Sequence, residues 1–520
     1  MINSAQQGVA STLGIPLGNM RLVSRYIGGG FGSKLPIYGD VILTALAARD
    51  LRRPVKTALT RQQMFHITSH PRDPLHNSLR SVISRTRAVC SVVFLANSPA
   101  IGVKKTPCSP SRSDCHSLAR VMLRVPSDTV QRLRLGASSD GKLAAVGHEA
   151  WSNGARYDDF LEPSALQTRL LYAAPARYTP HYLTKLDLPV ADSTRAPGEA
   201  VGMLAIEVGM DELAEKPTLD PIELRLRNEP TQNEDEKIPF SSRNLVACMK
   251  DGAIRFGWSQ RSALPAQKRE GRGLIGMGMA ASIRSNVMMP SKADVALNRE
   301  GMLTVKMAMT DIGTGGYIVL SQIAAEMMGL PIERVRMEMS DSNFPATPGS
   351  GGSWGAASAG SGLFDACTNL REKLATKMSI NPLDAVFANG NVTGAGKTES
   401  LGALAGTLGI EASGEIKPGA MAKQFSQQGY GAHFAEVRVN IDTGEIRVSR
   451  LLGVFATGRI LNEKNAKSQI SGAMIWGVGT ALHEDAVLDK RDGHFVNHDL
   501  AEYHVPSHAD IPEIDVHFLK

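Results

Sequence analysis

Three short turns limit what this chain can fold into. They are Ser139-Asp140-Gly141-Lys142, Asn298-Arg299-Glu300-Gly301 and Asp442-Thr443-Gly444-Glu445. Each joins two runs that alternate apolar and polar residues, the signature of antiparallel hairpins with one covered face. The flanking strands are Val130–Leu135 and Leu143–Ala150, Asp294–Leu297 and Leu303–Lys306, and Val437–Asn440 and Ile446–Val448. Between them lie stretches of helical period: 38–51, 200–216, a segment opened by Pro221, and 318–328. Proline is tolerated in a first helical turn. Hairpins mixed with helices, without strict strand–helix alternation, predict an α+β fold rather than a doubly wound sheet. Val41, Leu43, Ala45, Leu46 and Ala48 are expected to form the packing face of the first helix. Val55–Leu59 is expected as a short strand, and Thr231–Lys237 as a polar linker. No short-period repeat occurs.

At 520 residues, the chain exceeds one typical domain. A composition of 42% hydrophobic and 21% charged residues is that of a chain able to bury a full core. No run of 18 apolar residues exists, so no membrane insertion is expected. The net charge of +6 is concentrated in one place: residues 71–127 hold nine Lys/Arg against two Asp, and the rest of the chain sums to −1. A basic surface spread over a nucleic-acid-binding fold is therefore not expected. That same segment is serine-rich and without sustained period, so an irregular insertion is expected at about 71–127. It carries Cys90, Cys108 and Cys115, which lack zinc spacing. Cys248 and Cys367 stand alone on helix-like stretches and read as core residues. No iron–sulfur ligand pattern is present.

The glycine cluster Gly28-Gly29-Gly30-Phe31-Gly32-Ser33-Lys34 narrowly fails two phosphate-binding fingerprints, because Ser33 stands where each needs glycine. Four other loops share its character: Thr194–Glu199, Asp311–Gly316, Gly349–Ser358 and Gly458–Asn462. Each offers small residues and accessible backbone, the chemistry that cradles phosphates and polar rings. Five such loops point to a large, extended, anionic ligand.

In order and content, Ile27–Lys34, Arg195-Ala196-Pro197-Gly198, Asp311–Gly315, the 350–361 stretch and Gly458–Gln469 resemble the molybdenum-binding large subunit of the xanthine dehydrogenase/aldehyde oxidase family. The resemblance is nearest to the bacterial periplasmic-type aldehyde oxidoreductases. It implies two molybdopterin-binding domains, 1–245 and 246–520, and a molybdenum-molybdopterin cofactor in its cytosine dinucleotide form. The metal would be held through the pterin dithiolene and by no side chain. By position, Gly30, Phe31 and Arg195 would line the molybdenum pocket. Ile312, Gly313, Thr314, Gly355 and Ala356 would contact the pterin, and Arg459, Asn462 and Gln469 the phosphates and nucleotide. Arg284 would fall in the substrate pocket, against the plainer alternative of a surface arginine at a strand end.

The implied activity is hydroxylation of aldehydes or N-heteroaromatics with water as the oxygen source and a glutamate as base. Electrons would pass to separate iron–sulfur and FAD subunits. The resemblance also implies that the sequence is short of the family's chain at both ends. The Gly-Glu-aliphatic-Gly motif of the catalytic glutamate is not found: Ser413-Gly414-Glu415-Ile416 mimics it but continues with Lys417, Gly444-Glu445 is a hairpin turn, and Glu199 belongs to the Arg195 loop. Two readings stay open: a working hydroxylase subunit, or a catalytically inactive remnant that only binds cofactor or partner subunits. The compartment, cytoplasm or periplasm, is not decided by these residues.

Overall fold

The computed structural model describes residues 2–35, 37–67, 91–94, 121–125, 127–156, 159–188, 191–216, 218–489 and 491–519. The chain forms two compact units, each built from separated stretches of sequence.

The first unit comprises Met1–Leu59, Ser285–Gln424 and Leu461–Asn465. Its centre is a four-stranded sheet in the order Val335–Met339, Leu303–Met307, Ser291–Leu297, Ile410–Ile416. The first pair is parallel and the others antiparallel. Alternation decides the buried face: Leu303, Val305 and Met307 are fully covered, and Thr304 and Lys306 turn away. Helices Gly316–Met328 and Gly355–Lys377 supply the opposing layer. The second of these comes unusually close to the sheet. A Cβ on Gly362 would stand 3.0 Å from the Ser291 carbonyl oxygen, and one on Gly414 would stand 2.1 Å from the Ala366 nitrogen. A three-stranded meander, Val386–Ala388, Asn391–Gly394 and Lys397–Ser400, completes the unit with helices Ile2–Leu13 and Gly39–Leu51.

The second unit comprises Thr60–Arg284, Phe425–Ile460 and Ala466–Lys520. One sheet is built on the pair Ser127–Ala137 and Leu143–Ala155, with Ser91–Phe94 and Val121–Val125 added to the first strand and Ala176–Tyr178 and His181–Leu186 to the second. A five-stranded sheet runs Glu513–Phe518, Ile446–Ala456, Gln428–Asn440, Gly273–Ser285, Arg269–Glu270. Helices Glu199–Glu215, Pro221–Arg227 and Leu245–Phe256 belong to this unit, as does all but the first turn of helix Glu463–Leu482. Phe434 anchors one part of the core, with its ring 5.5 Å from that of Phe256 and 5.7 Å from that of Trp258. Cys248 and Cys367 are both fully buried in helices, and burial pushes each thiol up to about 12, so they are inert core residues.

The α+β class and all three hairpins stand as expected, and several local expectations do not. Residues 55–59 form no strand, because no bridge among the described residues includes them and a strand exists only through its partner. Val41 and Leu43 are exposed, and no residue of helix Gly39–Leu51 is fully buried, so the expected packing face is not covered. The 231–237 stretch is a folded turn rather than a linker. Asn233 is buried, donates to Ser426 Oγ at 3.0 Å and bridges to Ile238. The supposed loop 349–358 is already helix from Gly355 onward. Within 71–127, strands Ser91–Phe94 and Val121–Val125 pair with Ser127–Ala137; Cys90, Cys108, Cys115 and the remainder of that expectation lie outside the described residues.

Candidate cofactor site

Four loops of the first unit converge. The 25–35 loop needs its glycines: Gly28, Gly29 and Gly32 have φ of 78°, 142° and 111°, and Phe31 itself is held at φ 52°. A non-glycine residue in the left-handed region stores strain, and here it leaves the Phe31 ring about half exposed. Gly30 faces Ile312, with 3.4 Å between an ideal Cβ and Ile312 Cγ2. The Tyr317 hydroxyl donates to the Arg25 carbonyl at 3.2 Å, tying this loop to the one at 311–316.

The 311–316 loop is organised by its own aspartate. Asp311 Oδ1 accepts from the backbone N–H groups of Gly313 (2.8 Å) and Thr314 (3.1 Å), and Oδ2 accepts from Tyr317 N at 3.3 Å. The amides expected to be accessible at Gly313 and Thr314 therefore have an internal acceptor. An Asp two residues before a glycine signals this turn, and the signal was in the sequence. Gly315, at φ 78°, admits Asn465: a Cβ there would lie 2.2 Å from Asn465 Nδ2. Asn462 caps the following helix, accepting from Asn465 N at 2.9 Å and donating to Gln322 Oε1 at 3.0 Å. The 349–354 loop joins through Ser350, whose hydroxyl donates to the Thr310 carbonyl and whose N–H donates to Thr310 Oγ1 at 3.3 Å. Gly355 packs on Met309, while Ala356 is exposed one residue on. Thus Gly30, Ile312, Gly313, Thr314, Gly355 and Asn462 are brought together within this unit, with Phe31 and Ala356 exposed at its loops.

In the second unit, Arg195 donates to the Gln469 carbonyl at 2.7 Å, and burial lowers the guanidinium pKa from its usual range. The loop it stands on is held from below. Glu162 accepts from the Gly198 amide, Gly198 at φ 78° lies against Pro163, and a Cβ on Gly202 would sit 1.6 Å from the Ser164 carbonyl oxygen. Burial pushes the Glu162 carboxyl up to about 7, with the Gly198 hydrogen bond opposing and the Glu199 charge adding to the rise. Glu199 is buried, accepts from Gln167 Nε2 at 3.1 Å and forms an ion pair with Arg284. Arg284 therefore has a carboxylate partner and is about 29% exposed. Arg459 is exposed, on the segment following strand Ile446–Ala456. Neither glutamate of the motif mimic and hairpin turn is a buried base: Glu415 pairs with Lys292 and Lys417 at 3.1 Å each, and Glu445 with Arg447 at 2.7 Å.

The donors fit an acceptor-rich, anionic cofactor. Trp354 Nε1 and Asn465 Nδ2 are buried and have no hydrogen-bond partner among the described residues. Leaving such donors unpaired costs about 1–3 kcal/mol each, so their place on two of the convergent loops favours a ligand that supplies acceptors. Open space beside Gly28 and Gly313, where no atom lies within 4 Å of an ideal Cβ, gives flat heterocycles bare backbone to approach.

The chain belongs to the molybdopterin cofactor-binding family, of the xanthine dehydrogenase/aldehyde oxidase type. Two molybdopterin cofactor-binding domains match it, one over residues 1–80 and 121–229 and the other over 251–512. The chain is 41% identical, over its whole length, to the aldehyde oxidoreductase molybdenum-binding subunit PaoC of Escherichia coli (strain K12), and spans 63% of that relative. It is 25% identical to the xanthine dehydrogenase molybdenum-binding subunit of Escherichia coli O157:H7, with 98% of this chain and 64% of the relative aligned. In fold it is similar to quinoline 2-oxidoreductase from Pseudomonas putida 86, with a TM-score of 0.80 at 20% identity over 100% of this chain and 64% of that one.

Proposed function

We propose that the chain is the molybdenum-binding part of an aldehyde oxidoreductase-type hydroxylase that oxidises aldehydes or N-heteroaromatics with water as the oxygen source. The observation that carries this reading is the 41% identity to an aldehyde oxidoreductase subunit along the full chain. The cofactor is proposed to be the cytosine dinucleotide form of molybdenum-molybdopterin, and when bound it supplies the two-electron oxidation and the oxygen transfer. The chain's own residues bind and orient. In the first unit, Gly30, Ile312, Gly313, Thr314, Gly355 and Ala356 give backbone surface to the ring system, Trp354 Nε1 and Asn465 Nδ2 donate to it, Asn462 fixes the helix start beside it, and Phe31 lines the molybdenum pocket. In the second unit, Arg195 lines the molybdenum pocket, and Arg459 and Gln469 hold phosphates and nucleotide. Arg284, steadied by its ion pair with Glu199, orients a substrate carbonyl. Electrons leave to iron–sulfur and FAD subunits, in line with a chain related to one subunit of a complex.

The test is aldehyde-dependent dye reduction by the chain co-produced with iron–sulfur and FAD subunits in a host that makes the cofactor. Turnover that falls at least tenfold in Arg284→Ala, with molybdenum content unchanged, is expected. Equal turnover in Arg284→Ala removes the assigned role of that residue, and no turnover by the metal-loaded complex on any aldehyde or N-heteroaromatic contradicts the reading.

A further inference from the structure

The motif mimic Ser413-Gly414-Glu415-Ile416 lies on Ile410–Ile416, the edge strand of the first unit's sheet. Its register on Ser291–Leu297 pairs Ile410 with Leu297, Ala412 with Val295 and Gly414 with Ala293. In an antiparallel ladder, alternate residues then turn both backbone groups away from the sheet. Here those residues are Glu411, Ser413 and Glu415.

Their outward groups are met by a single row of one helix. Within Gly355–Lys377, Asp365 Oδ2 accepts from Glu415 N at 2.9 Å, and Asn369 Nδ2 donates to the Ser413 carbonyl at 2.8 Å. Lys373 Nζ donates to the Glu411 carbonyl at 2.7 Å, and Lys377 Nζ donates to the Leu404 carbonyl at 2.8 Å. These four residues are spaced every fourth position, and the helix runs opposite to the strand. The match has a simple metric cause. Four helical residues rise about 6 Å, and two strand residues about 6.8 Å, so the two repeats stay in step for about three contacts. An open groove of about 610 Å³, lined in part by Asn369, Lys373, Ile410 and Ser413, follows this edge.

We propose that Asp365, Asn369 and Lys373 act as a surrogate strand that keeps the edge Ile410–Ile416 from pairing with the same strand of a second copy of this chain. The occupant they exclude is defined by charge and register. An antiparallel self-pairing that sets Ser413 opposite Glu415 also sets Glu411 opposite Lys417, so opposite charges face each other at both ends and the outward backbone groups of both copies coincide. An edge this long, with such a self-complementary register, needs a cover, and lysines and an overlying helix are the means by which sheet edges avoid association.

The double variant Asn369→Ala/Lys373→Ala tests this in the full chain, since alanine keeps the helix. Light scattering after size exclusion is expected to show the molar mass doubling relative to the wild-type chain as concentration rises about tenfold. Adding Glu411→Lys, which places like charges opposite each other in that register, is expected to return the mass to the wild-type value. A folded double variant that keeps the wild-type mass at every concentration overturns the proposal, as does a doubling that Glu411→Lys leaves in place. Should the double variant not fold, Lys373→Ala alone is read by hydrogen exchange of residues 410–416. Exchange that slows at high concentration supports self-pairing, and exchange independent of concentration overturns it.

Discussion

Glu207→Gln is predicted to destabilise the second unit by about 3–5 kcal/mol, although the substitution changes no shape. Glu207 joins three elements in the core. Its carboxylate accepts from Arg225 Nε at 2.9 Å on helix Pro221–Arg227, from Ala281 N at 2.6 Å on strand Gly273–Ser285, and from the Tyr172 hydroxyl. Arg225 is wholly buried. Its remaining contacts are two carbonyls, Pro221 O at 3.0 Å and Glu207 O at 3.1 Å, and Asp211, 2.8 Å away. Asp211 is 43% exposed, so it offsets little of the buried charge once Glu207 is neutral. A glutamine also cannot accept from Arg225, Ala281 and Tyr172 at once, which leaves a buried donor unpaired at a further cost of about 1–3 kcal/mol, partly contained in the same figure. The assay is urea denaturation followed by tryptophan fluorescence, which reports on Trp258 in this core. Glu223→Gln is the control: its ion pair with Arg227 is exposed, and its loss is expected to cost no more than about 0.5 kcal/mol. Adding Arg225→Met to Glu207→Gln should recover part of the loss, because the stranded charge is gone. A cost below about 1 kcal/mol for Glu207→Gln, or a double variant less stable than the sum of its parts, would refute the argument.

Two helical glycines should respond with opposite signs. Gly202→Ala meets the Ser164 carbonyl oxygen at 1.6 Å and should cost about 1–3 kcal/mol, whereas Gly472→Ala, with nothing within 4 Å, should gain about 0.5–1 kcal/mol; thermal melting compares them. Glu162 titrates at about 7 when folded, against an unfolded value near 4.5. Its contribution is therefore complete below pH 4.5 and lost as pH rises to 7. The unfolding free energy of Glu162→Gln relative to wild type should climb between pH 4.5 and 7, at about 1.4 kcal/mol per pH unit, and stay level above; a flat difference in denaturant melts would exclude the titration. His148, buried and held neutral with a pKa of about 3, works in the opposite direction. Between pH 6.5 and 3 its part of the stability falls with acidification, and His148→Gln should remove that slope. Trp354→Phe deletes the unpartnered indole donor: molybdenum content should drop severalfold while the melting temperature of the metal-free chain does not fall.

The elements legible in the sequence were those whose cause is local. Asp140, Asn298 and Asn440 carry their turns in their own side chains, each accepting from backbone N–H groups of the turn, and the hairpins form where they stand. The beginning of helix Gly355–Lys377 was not legible, because its small residues resemble a loop. They are small because the helix lies almost against backbone, with Gly362 at Ser291 and Ala366 at Gly414. Likewise, 231–237 reads as a linker until Asn233 meets Ser426, which is 193 residues away. The site divides in the same way. Its glycines and arginines are expected from resemblance alone, whereas the Asp311 and Asn462 caps had local signals. The hold of Glu162 on Gly198, the pairing of Glu199 with Arg284 and the bond from Arg195 to Gln469 join distant segments, and no periodicity announces them.

These loops are proposed to hold a molybdenum-pterin dinucleotide. The direct test is to produce the full chain in a host that makes the cofactor, then measure molybdenum by mass spectrometry and the nucleotide released by acid. Close to one molybdenum and one cytidine monophosphate per chain are expected, both falling together in Gly313→Val and in Trp354→Phe. Folded chain with no molybdenum and no nucleotide above background would contradict the account.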